Sequence, residues 1–276
     1  MLELRHRFPL AVLLKAAALA RSTFYHREKV LRAPDQHAAL KARIQALYER
    51  HKGRYGYRRI TAALRQAGER INHKRVQRLM GLLKLKSLVR LKRYRSYLGA
   101  VGKAAPNVLA RQFEAQQPNQ KWVTDVTEFT VNNQKLYLSP VLDLYNGEII
   151  AYQLERKPVF DLVRVMMRRA LSRLAPHEQP MVHSDQGWHY QMPAYQQMLK
   201  RRSLVQSMSR KGNCLDNAAM ESFFATLKTE FFYLNKFTSL DELECGLKQY
   251  IQYYNHDRIR LKLNGLSPVQ YRTQFA

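Results

Sequence analysis

The pattern of apolar and polar residues changes character at about residue 120. Beyond this point, alternating positions predict three strands, over 122–131, 135–144 and 148–154, with the hairpin signal Asn146-Gly147 between the last two. Helical spacing and short apolar runs then predict a helix, a strand, a helix, a strand and two helices, over 159–174, 181–183, 193–201, 204–207, 217–232 and 239–255. The region therefore follows the order β-β-β-α-β-α-β-α, and one more helix closes it.

This order predicts a fold of the α/β (α+β) class, in which a mixed sheet is flanked by helices. It is the ribonuclease H-like arrangement rather than a doubly wound nucleotide-binding sheet, because the sequence contains no GxGxxG or Walker motif. We assign residues 121–276 to this domain, including its C-terminal helices.

The first third of the chain is predicted to be entirely helical. After helices over 9–20, 22–25 and 36–50, an amphipathic stretch over 57–66, a turn and a helix capped by Asn72 form a helix-turn-helix in outline. Basic side chains in and beside this motif are predicted to contact DNA: Arg54, Arg58, Arg59, Lys74, Arg75 and Arg78. The alternative is that these side chains form a basic surface that contacts only water. Residues 1–90 are assigned to this small all-helical DNA-binding region and 91–120 to a basic linker.

Net charge restricts the function classes. The formal charge is +26, and residues 1–105 contain 26 Lys and Arg against 5 Asp and Glu, so the chain attracts polyanions. The charge is spread over several segments rather than one amphipathic helix, which favours nucleic acid over a membrane surface. No membrane-spanning run or export signal is recognisable, so a cytoplasmic, nucleoid-associated protein is expected. Two widely spaced cysteines indicate neither a disulfide framework nor a zinc site.

Three acidic residues lie where an isolated negative charge is costly. Asp125 interrupts the first apolar strand, Asp185 follows the strand at 181–183, and Glu221 lies on a long helix. Such carboxylates are rarely buried unless they are paired or bind a metal. Two Mg²⁺ ions about 4 Å apart can activate an attacking hydroxyl and stabilise the leaving oxygen of a phosphodiester. The predicted cofactor is therefore a pair of Mg²⁺ ions, which Mn²⁺ can replace.

Thirty-five residues separate Asp185 from Glu221. With this spacing, the acids resemble the DDE signature of retroviral integrases and insertion-sequence transposases. Further stretches resemble the OrfB product of the IS-three family of insertion sequences, namely His183-Ser-Asp-Gln-Gly, Ser207-Met-Ser-Arg-Lys-Gly-Asn-Cys-Leu-Asp-Asn-Ala, Glu221-Ser-Phe-Phe-Ala-Thr-Leu-Lys-Thr-Glu and Tyr253-Tyr-Asn-His-Asp-Arg. The similarity covers nearly the whole chain, including Tyr55-Gly-Tyr-Arg-Arg-Ile.

The resemblance implies a bacterial insertion-sequence transposase in which Asp125, Asp185 and Glu221 are the catalytic metal ligands and Lys228 contacts DNA. Positions 217, 221 and 228 fall within about 40° around a helix, so Asn217 is predicted to share their DNA-facing side. The implied partners are the terminal inverted repeats of the element, target DNA and further copies of the chain in a multimer. An upstream helix-turn-helix frame, fused by ribosomal frameshifting, is a further implied partner.

Two alternative functions remain open from the sequence. One is a ribonuclease H-type or structure-specific nuclease that only hydrolyses its substrate. The other is a non-catalytic DNA-binding protein that represses or competes with an active transposase. Other polar residues near the motif are interpreted as structural or supporting: Asp143, Glu128, His183, His189, and Asp216 as a helix cap.

Overall fold

The computed structural model describes residues 2–33, 35–88, 105–210 and 214–276. The chain forms two compact units, Met1–Leu47 and Tyr48–Ala276. The first unit contains α1 (Leu10–Ala16), α2 (Arg21–Arg32) and most of α3 (Ala38–Arg50). None of the helices in these described ranges combines the length and apolar character needed to cross a membrane.

The second unit contains the remaining helices and all the strands found in the described residues. The helices are α4 (Tyr57–Gln66), α5 (His73–Leu82), α6 (Phe160–Leu171), α7 (Trp188–Gln191), α8 (Pro193–Lys200), α9 (Ala218–Glu230), α10 (Leu240–His256) and α11 (Pro268–Phe275). The strands are β1 (Lys121–Thr124), β2 (Thr127–Val131), β3 (Gln134–Asp143), β4 (Ile149–Glu155), β5 (Met181–Ser184) and β6 (Gln206–Met208).

The six strands form one mixed sheet. Its order is β2-β3-β1-β5-β6, with β4 on the other edge of β3. β1 is antiparallel to β3 and parallel to β5, and β5 is parallel to β6. The predicted mixed sheet is therefore confirmed, and its parallel half contains the predicted aspartates.

The stretch predicted as one strand over 122–131 is two strands. Thr124 pairs with Val141 and Thr127 pairs with Leu138, so the register along β3 is continuous and Asp125 lies opposite Pro140. Proline has no backbone N–H to donate to the ladder, and regular pairing stops there. The interruption falls at the first predicted catalytic residue.

Helices cover both faces of the sheet because successive strand residues point to opposite sides. On one face, Trp122 of β1 packs in a cluster with apolar residues of α6 and α8. On the other face, Val123 packs with apolar residues of α9 and α10. Helix α9, which includes Glu221, is thus fixed against the strand that leads to Asp125.

The predicted helix-turn-helix is formed by α4 and α5, and Asn72 caps α5 by accepting a 2.9 Å hydrogen bond from the backbone N–H of Lys74. Both helices belong to the same compact unit as the sheet, whereas the sequence placed them in a separate region ending at residue 90. The Tyr55 hydroxyl donates to the carbonyl of Asp257 at 3.0 Å and accepts from the N–H of Ile259 at 2.8 Å. Such contacts between distant parts of the sequence join the motif to the core.

Other differences concern the ends of elements. α1 ends at Ala16 rather than at 20, and α2 continues to Arg32 rather than ending at 25. The short helix α7 and the C-terminal helix α11 were not predicted. Residues 91–104 of the predicted linker and 211–213 of the resembling motif lie outside the described residues.

Candidate active site

Asp125 and Asp185 lie at the same end of two neighbouring parallel strands. β1 pairs with β5 through Trp122–Val182 and Val123–His183, and two further positions along this register set Asp125 beside Asp185. A backbone N–H orients each carboxylate. Val126 donates to Oδ1 of Asp125 at 2.7 Å, and Gly187 donates to Oδ1 of Asp185 at 2.9 Å.

The surroundings of both half-buried aspartates disfavour their ionised forms. Burial raises the pKa of Asp125 well above its ordinary value, the charges of Asp185 and Glu221 raise it further, and Lys228 opposes the shift. Burial also raises the pKa of Asp185, against the opposing effects of the Gly187 N–H and His189. Neighbouring carboxylates with this mutual repulsion favour a cation between them.

Glu221 approaches the aspartates from α9. It is half-buried, burial raises its pKa, and its charge acts on Asp125. Asn217, at the N-terminal end of α9, directs its Nδ2 at the carbonyl of Thr124 at 3.5 Å. Its Oδ1 is buried and finds no hydrogen-bond partner within the described ranges. Lys228 places its Nζ 5.3 Å from the centroid of the Phe129 ring.

The donor set is suited to a hard divalent cation. Three carboxylates and the buried amide oxygen of Asn217 are all oxygen ligands, the type that Mg²⁺ prefers. Among the described residues, no group of three or more His, Cys, Asp or Glu side chains is close enough together to hold a metal ion. Carboxylates of like charge repel one another at short range, so a closer approach of the three acids requires a cation to balance them.

Comparison with known proteins identifies the family. Residues 115–214 and 221–275 match the integrase core domain, and residues 35–93 match an HTH-like domain. The chain is 57% identical over 272 residues to the putative transposase InsK for insertion sequence element IS150 of Escherichia coli (strain K12), covering 99% of this chain and 96% of that protein. The chain belongs to the integrase-core transposases of bacterial insertion sequences. It is therefore a polynucleotidyl transferase that cleaves DNA and transfers the cut strand.

More distant matches agree with the family and the fold. This transposase is 34% identical over 236 residues to the transposase InsF for insertion sequence IS3A of Escherichia coli (strain K12), covering 84% of this chain and 81% of that one. A chain of the simian T-cell lymphotropic virus intasome superposes with a TM-score of 0.50 at 15% identity, over 83% of this chain and 74% of that chain. At this identity the likeness shows the fold alone, and it supports the ribonuclease H-like assignment.

The transposase exposes basic side chains along α5. Lys74, Arg75 and Arg78 are exposed, on the side away from the buried stripe that includes Val76 and Leu79. Arg58 in α4 is also exposed. All four residues are therefore accessible from solvent.

Arg54 and Arg59 have a different environment. Arg54 is buried, donates from Nε to the backbone carbonyl of Glu230 at 3.1 Å, and has its guanidinium 4.7 Å from the centroid of the Tyr253 ring. The prediction of a DNA contact is wrong for Arg54, because protein atoms enclose its charge. Arg59 is half-buried and forms a 3.0 Å ion pair with the carboxylate of Glu230. Both arginines bind α9 rather than extending from the surface of the motif.

Asp216 anchors a segment instead of capping a helix. It is buried, and its carboxylate receives paired hydrogen bonds from Arg210 at 3.0 Å, one from Arg111 at 3.0 Å and one from Asn107 at 2.9 Å. The hydrogen bond from Arg210 is the main reason why the pKa of Asp216 is lowered. The residue at the N-cap position of α9 is Asn217. Asp216 therefore fixes the described end of the predicted linker to the loop before α9.

Supporting residues surround the aspartates. His183 is buried between the hydroxyls of Ser207 at 2.8 Å and Ser209 at 3.1 Å, and burial lowers its pKa to about 4, in agreement with a structural role. Tyr190 was not predicted. Its hydroxyl lies 3.3 Å from Oγ1 of Thr124, and burial together with the charges of Asp125 and Asp185 raises its pKa. The sequence offered one signal for Tyr190, its position five residues after Asp185.

Proposed function

We propose that Asp125, Asp185 and Glu221 hold the divalent metal ions with which this transposase cuts and joins DNA. The observation that supports this assignment most is the parallel register of β1 and β5, which sets Asp125 beside Asp185. In agreement with it, burial and the charges of both other acids raise the pKa of Asp125. Enzymes of this superfamily depend on divalent metal ions. When bound, two Mg²⁺ ions, or Mn²⁺ in their place, would activate the attacking oxygen and stabilise the leaving oxygen.

The side chains of this chain orient the site. The N–H groups of Val126 and Gly187 fix the two aspartates, and Asn217 holds the end of β1 through Thr124. Lys228, whose charge acts on Asp125, contacts a DNA phosphate. Water attacks first and breaks a phosphodiester at an element end, which releases a 3′-hydroxyl. This hydroxyl then attacks a second phosphodiester, forming a new bond to its phosphorus while the bond to the 3′-oxygen of that strand breaks, with no covalent bond between DNA and enzyme.

DNA is held by the basic surface of the helix-turn-helix. Lys74, Arg75 and Arg78 on α5, together with Arg58, contact the terminal inverted repeats, and target DNA occupies the same enzyme during joining. Several copies of the chain assemble on the two element ends. An upstream frame product, fused or separate, completes the recognition of the ends.

The assay for this function uses duplex DNA bearing an end of the element that encodes the chain, with Mg²⁺. Wild type is expected to give nicked and joined products. Asp185→Asn is expected to lose cleavage by about a hundredfold or more while it still binds the DNA. Asp161→Asn, an exposed aspartate of α6 paired with Arg164, is the matched control and should remain active. Hydrolysis without joined products would indicate a nuclease instead.

The contribution of α5 is tested by the salt dependence of binding. Replacing Lys74, Arg75 and Arg78 together with Ala is expected to weaken binding and to reduce the slope of log K against log salt by about 0.9 for each phosphate that these side chains neutralise. A charge-matched variant of Arg168, Arg173 and Lys200, all exposed elsewhere in the same unit, should retain the wild-type slope. An unchanged slope in the α5 variant would show that these residues form only a solvated basic face.

A further inference from the structure

The two tryptophans of the chain have opposite environments. Trp122 in β1 is completely buried, whereas Trp188, the first residue of α7, is 50% exposed. A half-exposed indole is unfavourable, because much of its large apolar surface remains in contact with water. Trp188 follows Asp185 by only three residues. A large aromatic side chain is thus displayed beside a proposed metal ligand.

The indole is supported from one side. It stacks on His189, with ring centroids 3.9 Å apart and an angle of 27° between the planes. His189 is itself buried, with Nε2 3.2 Å from the carbonyl oxygen of Pro158. The next residue, Tyr190, is buried and reaches Thr124 through its hydroxyl. Neighbouring residues therefore anchor α7 and hold Trp188 in position.

This anchored helix packs closely against Asp185. An added Cβ at Gly187 would lie 2.9 Å from Oδ1 of Asp185 and 3.4 Å from the Tyr190 ring, so little space separates them. The negative charge of Asp185 also raises the pKa of His189, against the larger lowering caused by burial. A DNA strand with a phosphate at Asp185 therefore has neighbouring nucleotides within reach of Trp188.

We propose that Trp188 is a stacking platform for an unpaired nucleobase of the DNA strand bound at Asp125 and Asp185. This inference rests on the proposed function, because those carboxylates position the strand. Within a duplex, both faces of a base are covered by its neighbours, so the platform accepts a base that has left the stack at a cut end or a junction. Every base has a π face, so Trp188 recognises the unpaired state rather than a sequence.

Tryptophan fluorescence tests the proposal directly, because Trp188 is exposed and Trp122 is buried. The probes are two duplex oligonucleotides with a short single-stranded 3′ tail, made of thymidines in one and of abasic nucleotides in the other. They are compared at one salt concentration in the presence of Ca²⁺, a divalent cation that prefers the same oxygen ligands as Mg²⁺. Stacking quenches indole emission, so the thymidine tail is expected to quench more strongly. Equal quenching by both tails would overturn the proposal.

Variants separate stacking from folding. Trp188→Phe keeps an aromatic ring and is expected to lose the quenching signal but retain the preference for the thymidine tail. Trp188→Ala is expected to weaken binding of the thymidine tail about fivefold or more and to leave binding of the abasic tail unchanged. Equal weakening for both tails would show a purely structural role and would overturn the proposal.

A matched control is available on α11. Phe275 is 53% exposed and contacts Tyr271 with ring centroids 4.8 Å apart, so Phe275→Ala also removes an exposed, supported aromatic ring. It should change binding of neither tail. A wild type that cuts and joins DNA but shows equal quenching contradicts only the stacking proposal. Quenching specific to thymidine without metal-dependent cutting contradicts only the proposed function.

Discussion

At the scale of single residues, Gly187 matters because it has no side chain. Any other residue at this position would place a Cβ against the Asp185 carboxylate. Its N–H donates to Oδ1 of Asp185, and a Cβ built on it lies 2.9 Å from that same oxygen. Gly187→Ala is therefore expected to displace the carboxylate and to reduce Mg²⁺-dependent cleavage by about tenfold or more, since small misplacements of a reacting group are costly. Cleavage kinetics at saturating DNA measure this.

The control for that substitution is Gly81→Ala in α5. A Cβ at Gly81 meets no atom of the described residues within 4 Å, so this variant should keep cleavage and gain slightly in helix stability. The melting temperature of Gly187→Ala should remain close to that of wild type. Full cleavage activity in Gly187→Ala would show that the Asp185 carboxylate tolerates a shift.

Burial of the Asp185 carboxylate also affects stability. The folded-state pKa of Asp185 is raised, so its ionisation destabilises the fold above about pH 4, where an ordinary Asp ionises, and the penalty is complete only above the raised pKa. Without divalent metal, Asp185→Asn is expected to melt at a higher temperature than wild type at pH 7, with the difference vanishing as the pH falls below 4.

Added Mg²⁺ gives the second half of this test, measured by the same thermal melts. Mg²⁺ should raise the melting temperature of wild type, because a ligand that binds only the folded state stabilises that state. It should have little effect on Asp185→Asn, which lacks one of the proposed ligands. A lower melting temperature for Asp185→Asn than for wild type at pH 7 without metal would contradict the destabilising effect of burying the Asp185 charge.

The sequence was informative about these residues to different degrees. Asp125 and Asp185 were recognisable because carboxylates that interrupt or end apolar strands need a partner. The burial of Arg54 was not recognisable, because its partners Glu230 and Tyr253 lie about 180 to 200 positions away and an arginine in a basic region has the same local pattern whether exposed or buried. Tyr190 was missed because its partner Thr124 also lies far away in the sequence.

At the scale of elements, α9 joins the two proposed functions. It contains Glu221 in its first turn and ends at Glu230, which is buried. The Glu230 carboxylate receives 2.8 Å hydrogen bonds from Nε and Nη2 of Arg258, one from Arg59 of α4 at 3.0 Å and one from Tyr250 of α10 at 3.1 Å. The helix of the active site is therefore tied to the first helix of the helix-turn-helix.

Glu230→Gln should destabilise the protein by about 3 to 5 kcal/mol, the usual effect of breaking a buried ion pair, because Arg258 remains buried without its carboxylate. Chemical denaturation at pH 7 measures this. Glu244→Gln, which breaks the exposed pair with Lys248 on α10, is the control and should have no measurable effect. A similar effect of both changes would contradict the special role of Glu230.

The pH dependence gives Glu230 a second signature. Although burial alone would raise its pKa, the hydrogen bonds and charges of Arg258 and Arg59 lower it to about 2. A depressed carboxyl pKa stabilises the fold above the ordinary pKa of about 4.5, and this stabilisation is lost as the pH falls from there towards 2. The difference in unfolding free energy between wild type and Glu230→Gln should therefore shrink over that interval.

The sequence predicted element types better than element ends. α4 has the predicted bounds because Gly56 precedes it and an apolar face marks its length. The division of the first predicted strand into β1 and β2 was missed because it depends on Pro140, which interrupts pairing from the partner strand. α7 was missed because four residues contain too little of a helical period to be detected.

At the scale of the whole molecule, the helix-turn-helix and the candidate active site share one compact unit. Basic residues and helix-breaking residues suggested a domain boundary near residue 90. Local composition of this kind indicates solvent exposure and flexibility, but it contains no information about contacts with distant parts of the chain. The structure divides the chain at Tyr48 instead. Arg54, Tyr55 and Arg59 all bind groups beyond residue 229, so the helix-turn-helix is a structural part of the catalytic unit.

This arrangement predicts the outcome of truncation. A fragment of residues 105–276 keeps the whole sheet but lacks Arg54, Tyr55 and Arg59, which leaves Glu230 with fewer partners and the carbonyl of Asp257 and the N–H of Ile259 without theirs. Buried polar groups without partners are costly, so this fragment should unfold at much lower denaturant than a fragment of residues 35–276, which keeps every one of these interactions. Circular dichroism during denaturation compares the two. Equal midpoints would mean that contacts with the helix-turn-helix add nothing to the stability of the sheet domain. The two regions predicted from the sequence would then be energetically independent.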